Sequence, residues 1–366
     1  MNRIYFDNAA SVKPCREALE AFNSCALQNY SNPAALHKGG IDAEKIINAA
    51  KKIILSKLPP SRNNQLIFTS GGTESNNLAL FGVKSGKKRK IVTTAIEHPS
   101  VSEPLCELER RGFEVLRLTP PHNESGESFE KKIIDAVDEN TFLLSIMAVN
   151  NETGFIIDTV NIYEVVKRKF PDCVIHTDAA QGFMKIPVNG DLISISAHKS
   201  GGLKGVGGLF IKDGLKLNPL IFGGGQQNSL RAGTEPTELI AAFGAAVENY
   251  KYNHLHFIRL SERLKQLLSG LDIVINSRDN IPDIINFSVR GIKSEILLHY
   301  FAENNIYVSS GSACARGKKS PSLLAFGVSD KDADSALRLS FSTENTIEEI
   351  DKFAGILKTA IERFKK

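Results

Sequence analysis

Three short stretches of this chain carry residues that could do covalent chemistry. They are Asp178-Ala-Ala-Gln181, Ser196-Ala-His-Lys199 and Ser309-Ser-Gly-Ser-Ala-Cys314. Asp178 follows the apolar run Val174-Ile-His-Thr, and Lys199 follows Leu192-Ile-Ser-Ile-Ser-Ala-His. Both therefore fall at the ends of candidate interior strands. A lysine there is costly to keep charged, and once deprotonated it can form a Schiff base with an aldehyde. The alternative is a surface lysine just past a strand, but the sequel Gly201-Gly-Leu-Lys-Gly-Val-Gly-Gly208 lets backbone pass close to a ligand. A carboxylate at 178 can keep a pyridine nitrogen protonated, which makes the ring an electron sink, or it can cap the next helix. Gln181, one turn on, could donate to a phenolate on the same ring.

Thr69-Ser-Gly-Gly-Thr73-Glu-Ser-Asn reads as a strand, a tight turn and a helix start. Gly72 and free backbone N–H groups, the Thr73 hydroxyl and the helix dipole would seat a phosphate; a capped helix without ligand has the same pattern. Ser196 and His198 could add donors. The turn lacks Gly-x-Gly-x-x-Gly, which disfavours a dinucleotide, and the glycines after Lys199 do not form a Walker loop. His98, in Ala95-Ile-Glu-His-Pro, could stack on a planar cofactor and shuttle protons, or be a loop residue. The combined set suits pyridoxal phosphate. Cys314 sits among small residues with Arg316, Lys318 and Lys319 nearby, which favour a thiolate. Arg338, inside the apolar Ala-Leu-Arg-Leu-Ser-Phe, requires a carboxylate from the protein or from a substrate. His176-x-Asp178 could start a metal site, but no third ligand has suitable spacing, so no metal is expected.

Strand candidates are Gln65–Thr69, Lys90–Thr94, Glu114–Leu118, Phe142–Val149, Cys173–Thr177, Asp191–Ser196 and Gly208–Ile211. Helical patterns such as 100–111, 130–137 and 161–169 alternate with them, which predicts an α/β fold with a mostly parallel sheet and helices on both faces. Ligands in such sheets bind beyond the carboxyl ends of the strands, where these motifs fall. One long helical pattern, Glu235–Arg259 continuing through Ser261–Leu268, closes this region. The remainder predicts a smaller α+β domain with strands at Ile273–Ile275, Ile284–Val289 and Tyr307–Ser309 and helices near 294–304 and 346–364.

The 366 residues suffice for one large or two ordinary domains. The net charge of +4 is spread out, so no direct nucleic acid binding is expected. No apolar stretch approaches the ~20 residues of a membrane span, and the N-terminus lacks a secretory apolar core, so a cytoplasmic protein is expected. Cysteines 15, 25, 106, 173 and 314 form no Cys-x-x-Cys pair, which argues against a disulfide framework or a zinc site.

The ordered ensemble resembles the cysteine desulfurases of the NifS/IscS type, within the class V aminotransferase group of fold-type I pyridoxal phosphate enzymes. The likeness runs nearly end to end. It passes through Tyr5-Phe-Asp-Asn-Ala-Ala, Asn32-Pro33, His37, Phe68 to Asn76, Glu97-His98, Val149-Asn-Asn-Glu-Thr-Gly and Asp178 to Gln181. It continues through Ser196 to Lys199, Gly223-Gly-Gly-Gln, Arg231-Ala-Gly-Thr-Glu, Ser309 to Cys314 and Arg338. The resemblance implies a mostly parallel seven-stranded sheet in a large domain, 14–250, with 1–13 and 251–366 forming a smaller domain that carries the cysteine loop. It implies Lys199 as the Schiff-base lysine, Asp178 on the ring nitrogen, Gln181 on the ring oxygen and His98 on the ring face. Gly72, Thr73, Ser196 and His198 would hold the phosphate, and Thr234 would reach the phosphate of a neighbouring subunit, implying a homodimer. Asn151 and Arg338 would hold the substrate carboxylate with Asn32 nearby, and Cys314 would take sulfur from L-cysteine as a persulfide. A sulfur-acceptor protein, either an Fe–S scaffold or a tRNA-thiolating enzyme, would follow. Ser200-Gly201-Gly202-Leu203, Ala232 and Ala315-Arg-Gly-Lys-Lys depart from the usual family pattern. Selenocysteine lyase or another class V aminotransferase activity is the alternative.

Overall fold

A computed structural model describes residues 3–61, 63–120, 125–310 and 320–365. Cys314, Arg316, Lys318 and Lys319 lie outside the described residues. The N-terminal segment supplies β1 (Ile4–Tyr5), α1 (Arg16–Gln28) and α2 (Lys38–Leu55). Then come β2 (Gln65–Thr69), α3 (Gly72–Gly82), β3 (Lys90–Thr94), α4 (Pro99–Arg110) and β4 (Glu114–Leu118). They are followed by α5 (Gly126–Asp135), β5 (Thr141–Met147), α6 (Thr159–Lys169), β6 (Val174–Asp178), β7 (Leu192–Ser196), β8 (Gly207–Ile211) and α7 (Thr237–Asn249). The C-terminal part holds α8 (His254–Leu268), β9 (Ile273–Ile275), β10 (Ile284–Val289), α9 (Ser294–Glu303), β11 (Ile306–Tyr307) and β12 (Ser309–Ser310). It ends with α10 (Pro321–Ala325), α11 (Asp330–Asp334), β13 (Ala336–Ser340) and α12 (Ile347–Phe364).

Seven strands form the central sheet in the order β2-β8-β7-β6-β5-β3-β4. β8 runs antiparallel to both its neighbours, and the other pairs are parallel. β5 and β7 are buried along their whole length, as expected for strands covered on both faces. Alternation divides their side chains between layers: Leu143 packs with Leu78 and Leu105 of α3 and α4, whereas Leu144 packs with Ile133 and Ile162 of α5 and α6. Phe68, Ile195 and Phe210 meet Ile47 and Phe243 of α2 and α7.

A second sheet, β12-β13-β10-β9, is antiparallel throughout. Its core gathers Phe257, Leu264, Phe287, Leu339 and the ring pair Phe301–Phe353, whose centroids are 4.8 Å apart. Ile4 and Phe6 join this core, and β1 pairs with β11, so the first residues pack with the last third of the chain.

Two expectations are corrected. The helical pattern Glu235–Leu268 is two helices, because Tyr250 is extended and Asn253 starts a new helix by accepting the His256 N–H through Oδ1 at 3.2 Å. The Tyr307–Ser309 run splits at Val308 into β11 and β12, which belong to different sheets. Among the described residues no helix is long and apolar enough to cross a membrane.

Candidate active site

Parallel strands bring β6 and β7 side by side, with Asp178, the last residue of β6, opposite Ser194, two residues before the carboxyl end of β7. Asp178 is buried. Its Oδ1 accepts the Ala180 N–H and its Oδ2 the Asn76 Nδ2 donor of α3, each at 2.9 Å. Past β7 the chain makes one short helical turn, Ala197–Lys199. The Lys199 ammonium donates to the carbonyls of Ala9 and Ala10, at 3.0 Å for the latter. Burial, reinforced by the charges of Arg338 and Lys185, holds its pKa down to about 8. Such a lysine supplies an uncharged amine near neutral pH.

Gln181 donates Nε2 to the Ala9 carbonyl at 2.7 Å, while its buried Oε1 has no partner among the described residues. The N-terminal segment thus crosses the site and engages Lys199 and Gln181 at the same carbonyl. His198 contacts Ser11, Nδ1 to Oγ at 3.3 Å, and burial with Lys199 and Lys204 depresses its pKa to about 4.

The turn Ser70–Gly71 leads into α3. Gly71 has φ of +154°, and its backbone lies 2.7 Å from where a Cβ on Gly207 would stand, so β8 can accept only glycine there. No side chain caps α3. Among the described residues the Ser196 hydroxyl is buried without a partner, and its Cβ lies 3.7 Å from a Cβ built on Gly72. An uncapped helix N-terminus beside an unsatisfied hydroxyl is a seat for an anion. Thr73 and His98 line one cavity of about 480 Å³ together with Asn77, Ser100 and Glu103.

Arg338 leaves the small sheet toward the same region. Its Nη2 donates to Asp7 Oδ1 at 2.6 Å and its Nη1 to the Asn151 carbonyl at 2.8 Å, while buried Nε has no partner among the described residues. Of the two carboxylate sources left open by the sequence, the protein's own is present. Beside Asn151, burial pushes the Glu152 carboxyl up to about 7, although it accepts the Ser320 hydroxyl at 2.6 Å. Ser309 pairs with Arg338 across β12 and β13. The described residues flanking the Cys314 stretch therefore lie next to Arg338 and Glu152. Asn32 and Thr234 are exposed, and among the described residues neither hydrogen-bonds to the others of this set. Asp7, Asn76, Ser100 and Glu152 are site residues that the sequence reading does not single out, although Asp7, Asn76 and Glu152 lie within the motifs that carry the resemblance.

Residues 4–353 match the family Aminotransferase class-V. The chain belongs to this family, whose desulfurase members are pyridoxal phosphate-dependent. It is 36% identical to the NifS/IcsS protein homolog of Lactobacillus delbrueckii subsp. bulgaricus, over 99% of this chain and 98% of that one. It is 37% identical to the cysteine desulfurase IscS of Clostridium botulinum, over 99% and 96% respectively. Among solved structures, a NifS-like protein superposes with a TM-score of 0.89 at 33% identity, covering 99% of this chain and 100% of the other. SspA in complex with cysteine gives 0.80 at 33%, covering 93% and 99%. The residues present fit the cofactor: a neutralisable lysine, a buried carboxylate, an unsatisfied Ser196 hydroxyl and an uncapped helix converge at adjoining strand ends.

Proposed function

We propose that this chain is a cysteine desulfurase that converts L-cysteine to L-alanine and leaves the sulfur on Cys314. The observation that carries the reading is Lys199, half-buried with a pKa near 8, beside Asp178 and within reach of the charges of Arg338 and Asp7. When bound, pyridoxal phosphate supplies an aldehyde for the amino group and a protonated ring that withdraws electrons from the Cα–H bond. Lys199, Asp178, Gln181 and His98 would hold the ring, and Gly72, Thr73, Ser196 and His198 the phosphate. Asp178, oriented by Asn76 and the Ala180 N–H, holds the proton of the ring nitrogen. Lys199 Nζ takes the proton from the substrate Cα and returns one to the product. Arg338, kept in one plane by Asp7 and Asn151, orients the substrate carboxylate with help from Asn151 and Asn32. The Cys314 thiolate attacks the substrate sulfur: an S–S bond forms, the Cβ–S bond breaks, and its electron pair goes to carbon, which is then protonated.

Three other thiols are poor competitors: burial raises the pKa of Cys15 and Cys25 and pushes Cys173 up to about 12. Cys106 is half-buried against the Arg117 guanidinium. The same reading takes 14–250 as the large domain and 1–13 with 251–366 as the small one, supported by the seating of Ile4 and Phe6 in the second core. It makes the enzyme a cytoplasmic homodimer that passes sulfur to an Fe–S scaffold or a tRNA-thiolating enzyme.

The test is borohydride reduction and peptide mapping of the holoenzyme, with mass spectrometry after cysteine treatment. The cofactor is expected on Lys199 and an added sulfur on Cys314; Cys314→Ala should retain cofactor and release almost no sulfide. Wild-type turnover in Cys314→Ala would remove the mechanism.

A further inference from the structure

A directional hydrogen-bond chain runs from Asp178 to His98 through two residues to which the mechanism above gives no part in handling His98. Asn76 Nδ2 donates to Asp178 Oδ2 at 2.9 Å and to Ser100 Oγ at 2.8 Å. Ser100 Oγ is in turn 2.8 Å from His98 Nδ1. A carboxylate can only accept, so the amino side of Asn76 must face it. Both hydrogens of that group are then committed, to Asp178 and to Ser100. The Ser100 hydroxyl, already an acceptor, has its own hydrogen left for His98 Nδ1. His98 is also the N-cap of α4, and Nδ1 accepts the Ser100 backbone N–H at 3.1 Å. A backbone N–H can only donate, so Nδ1 carries the lone pair and not the proton, and the Ser100 hydroxyl then has to turn its hydrogen toward the same nitrogen.

We infer that Asn76 and Ser100 are positioning residues that fix His98 as a neutral imidazole carrying its proton on Nε2, and that His98 therefore gives a hydrogen bond to substrate or cofactor instead of shuttling protons. A second proton could go only to Nδ1. There it would oppose the Ser100 N–H and the positive end of the α4 dipole. The surroundings agree. Burial lowers the His98 pKa, the Asp178 charge acts the other way, and the Lys199 charge lowers it again. Glu103 and Glu107 of α4 line the cavity that His98 borders, and Glu97 precedes it with a carboxyl pushed up to about 8 by burial. A neutral ring with Nε2–H cannot take a proton at the edge it presents, so Lys199 remains the group that moves protons.

The inference rests on the proposed site for the orientation of His98, but its test does not need turnover. Holoenzyme labelled with ¹⁵N-histidine is followed by long-range ¹H–¹⁵N correlation, with His98 assigned by its loss in His98→Gln. The expected pattern is one protonated and one unprotonated ring nitrogen, with the proton on Nε2, unchanged from about pH 6 to about pH 9. Ser100→Ala and Asn76→Leu should each give a mixed tautomer or a visible protonation step. An imidazolium or an Nδ1–H tautomer in the unaltered protein at neutral pH overturns the assignment; a His98 pattern unchanged in both variants overturns the positioning role. Kinetics add a second reading. A hydrogen-bond donor is replaceable in part by the Gln amide, so His98→Gln should lose less kcat than His98→Ala. Both His98→Gln and His98→Ala falling together by about 10²–10⁴ would mark a proton-transfer group and sink the inference.

Discussion

At the residue scale, the division of Arg338 between protein and substrate decides the binding chemistry. Two of its nitrogens are held by Asp7 and the Asn151 carbonyl, and Nε is a buried donor without a partner among the described residues. Loss of a charge-assisted contact worth about 1.5–3 kcal/mol should raise KM for cysteine about 10- to 150-fold in Arg338→Ala, with kcat less affected. Asp7→Asn keeps an acceptor for Nη2, so its KM should rise less. Steady-state kinetics check both, and an unchanged KM in Arg338→Ala would leave this arginine as the structural partner of Asp7 alone. Glu97 gives a pH prediction. It is buried, with Oε1 accepting the Thr94 hydroxyl at 2.5 Å and the Met147 N–H at 3.0 Å. Burial, with the Asp178 charge adding, raises its pKa from 4.5 to about 8. The folded protein therefore keeps a proton that the unfolded chain releases near pH 4.5. The resulting stabilisation is complete below that pH and declines as pH rises through the folded value. Glu97→Gln removes this titration while keeping Oε1. Its Tm relative to the parent should climb between about pH 5 and about pH 8 and then level off; a constant difference in thermal melts would place the carboxylate ionised in the fold. Asp178 and Lys199 were legible because each closes an apolar run. Asp7 was not legible as a partner of Arg338, because the two are 331 residues apart and only the fold joins them.

At the element scale, the interior strands of the large sheet could be read from apolar runs bounded by turns, since strands covered on both faces need continuous hydrophobicity, and the half-exposed edge strand β4 from its alternation. The two-residue strand β1 could not, because pairing and not pattern defines it, and the run Tyr307–Ser309 read as one strand where pairing makes two, β11 and β12. The break between α7 and α8 combines the local Asn253 cap with tertiary contacts that the pattern of apolar residues does not show. There Tyr252 donates to Asp283 Oδ1 at 2.7 Å, and Asp283 Oδ2 pairs with Lys185 at 2.7 Å, both charges being buried. This pair ties the turn after β6 to the approach of β10. Removing one partner strands the other charge in the interior, which costs about 3–5 kcal/mol. Lys185→Met should lower stability by that order, and Lys185→Met with Asp283→Asn should lose less than the two single variants added together. Chemical denaturation measures the cycle. Lys185 also helps to depress the Lys199 pKa. The acid limb of kcat/KM should therefore move to higher pH in Lys185→Met; an unmoved limb would separate this pair from the site.

At the scale of the whole molecule, one loop is under strain and exposes apolar surface. Gln227, Asn228 and Ser229 hold φ of 46°, 57° and 60°, a left-handed run that costs energy in residues other than glycine. Gln227 is pinned from both sides, accepting the Phe68 N–H at 2.7 Å and donating to Glu235. The same stretch carries Phe222, 82% exposed, and the exposed Thr234; Leu36, 95% exposed, lies in the turn between α1 and α2. Apolar surface of this kind on a rigidly held loop fits burial against a second copy. The family resemblance assigns Thr234 to the partner's phosphate, so each site of the proposed dimer would be built from two chains. A mixed dimer tests this directly. Lys199→Ala and Thr234→Ala subunits, each inactive or weak alone, are co-expressed with different tags and purified through both. If Thr234 acts across the interface, one site of the mixed dimer combines an intact Lys199 from one chain with an intact Thr234 from the other. Turnover and cofactor content should then return to about half of the unaltered dimer. If Thr234 serves its own chain, both sites of the mixed dimer stay damaged and no activity returns. A particle of monomer mass in light scattering at micromolar concentration would refute the two-chain site outright.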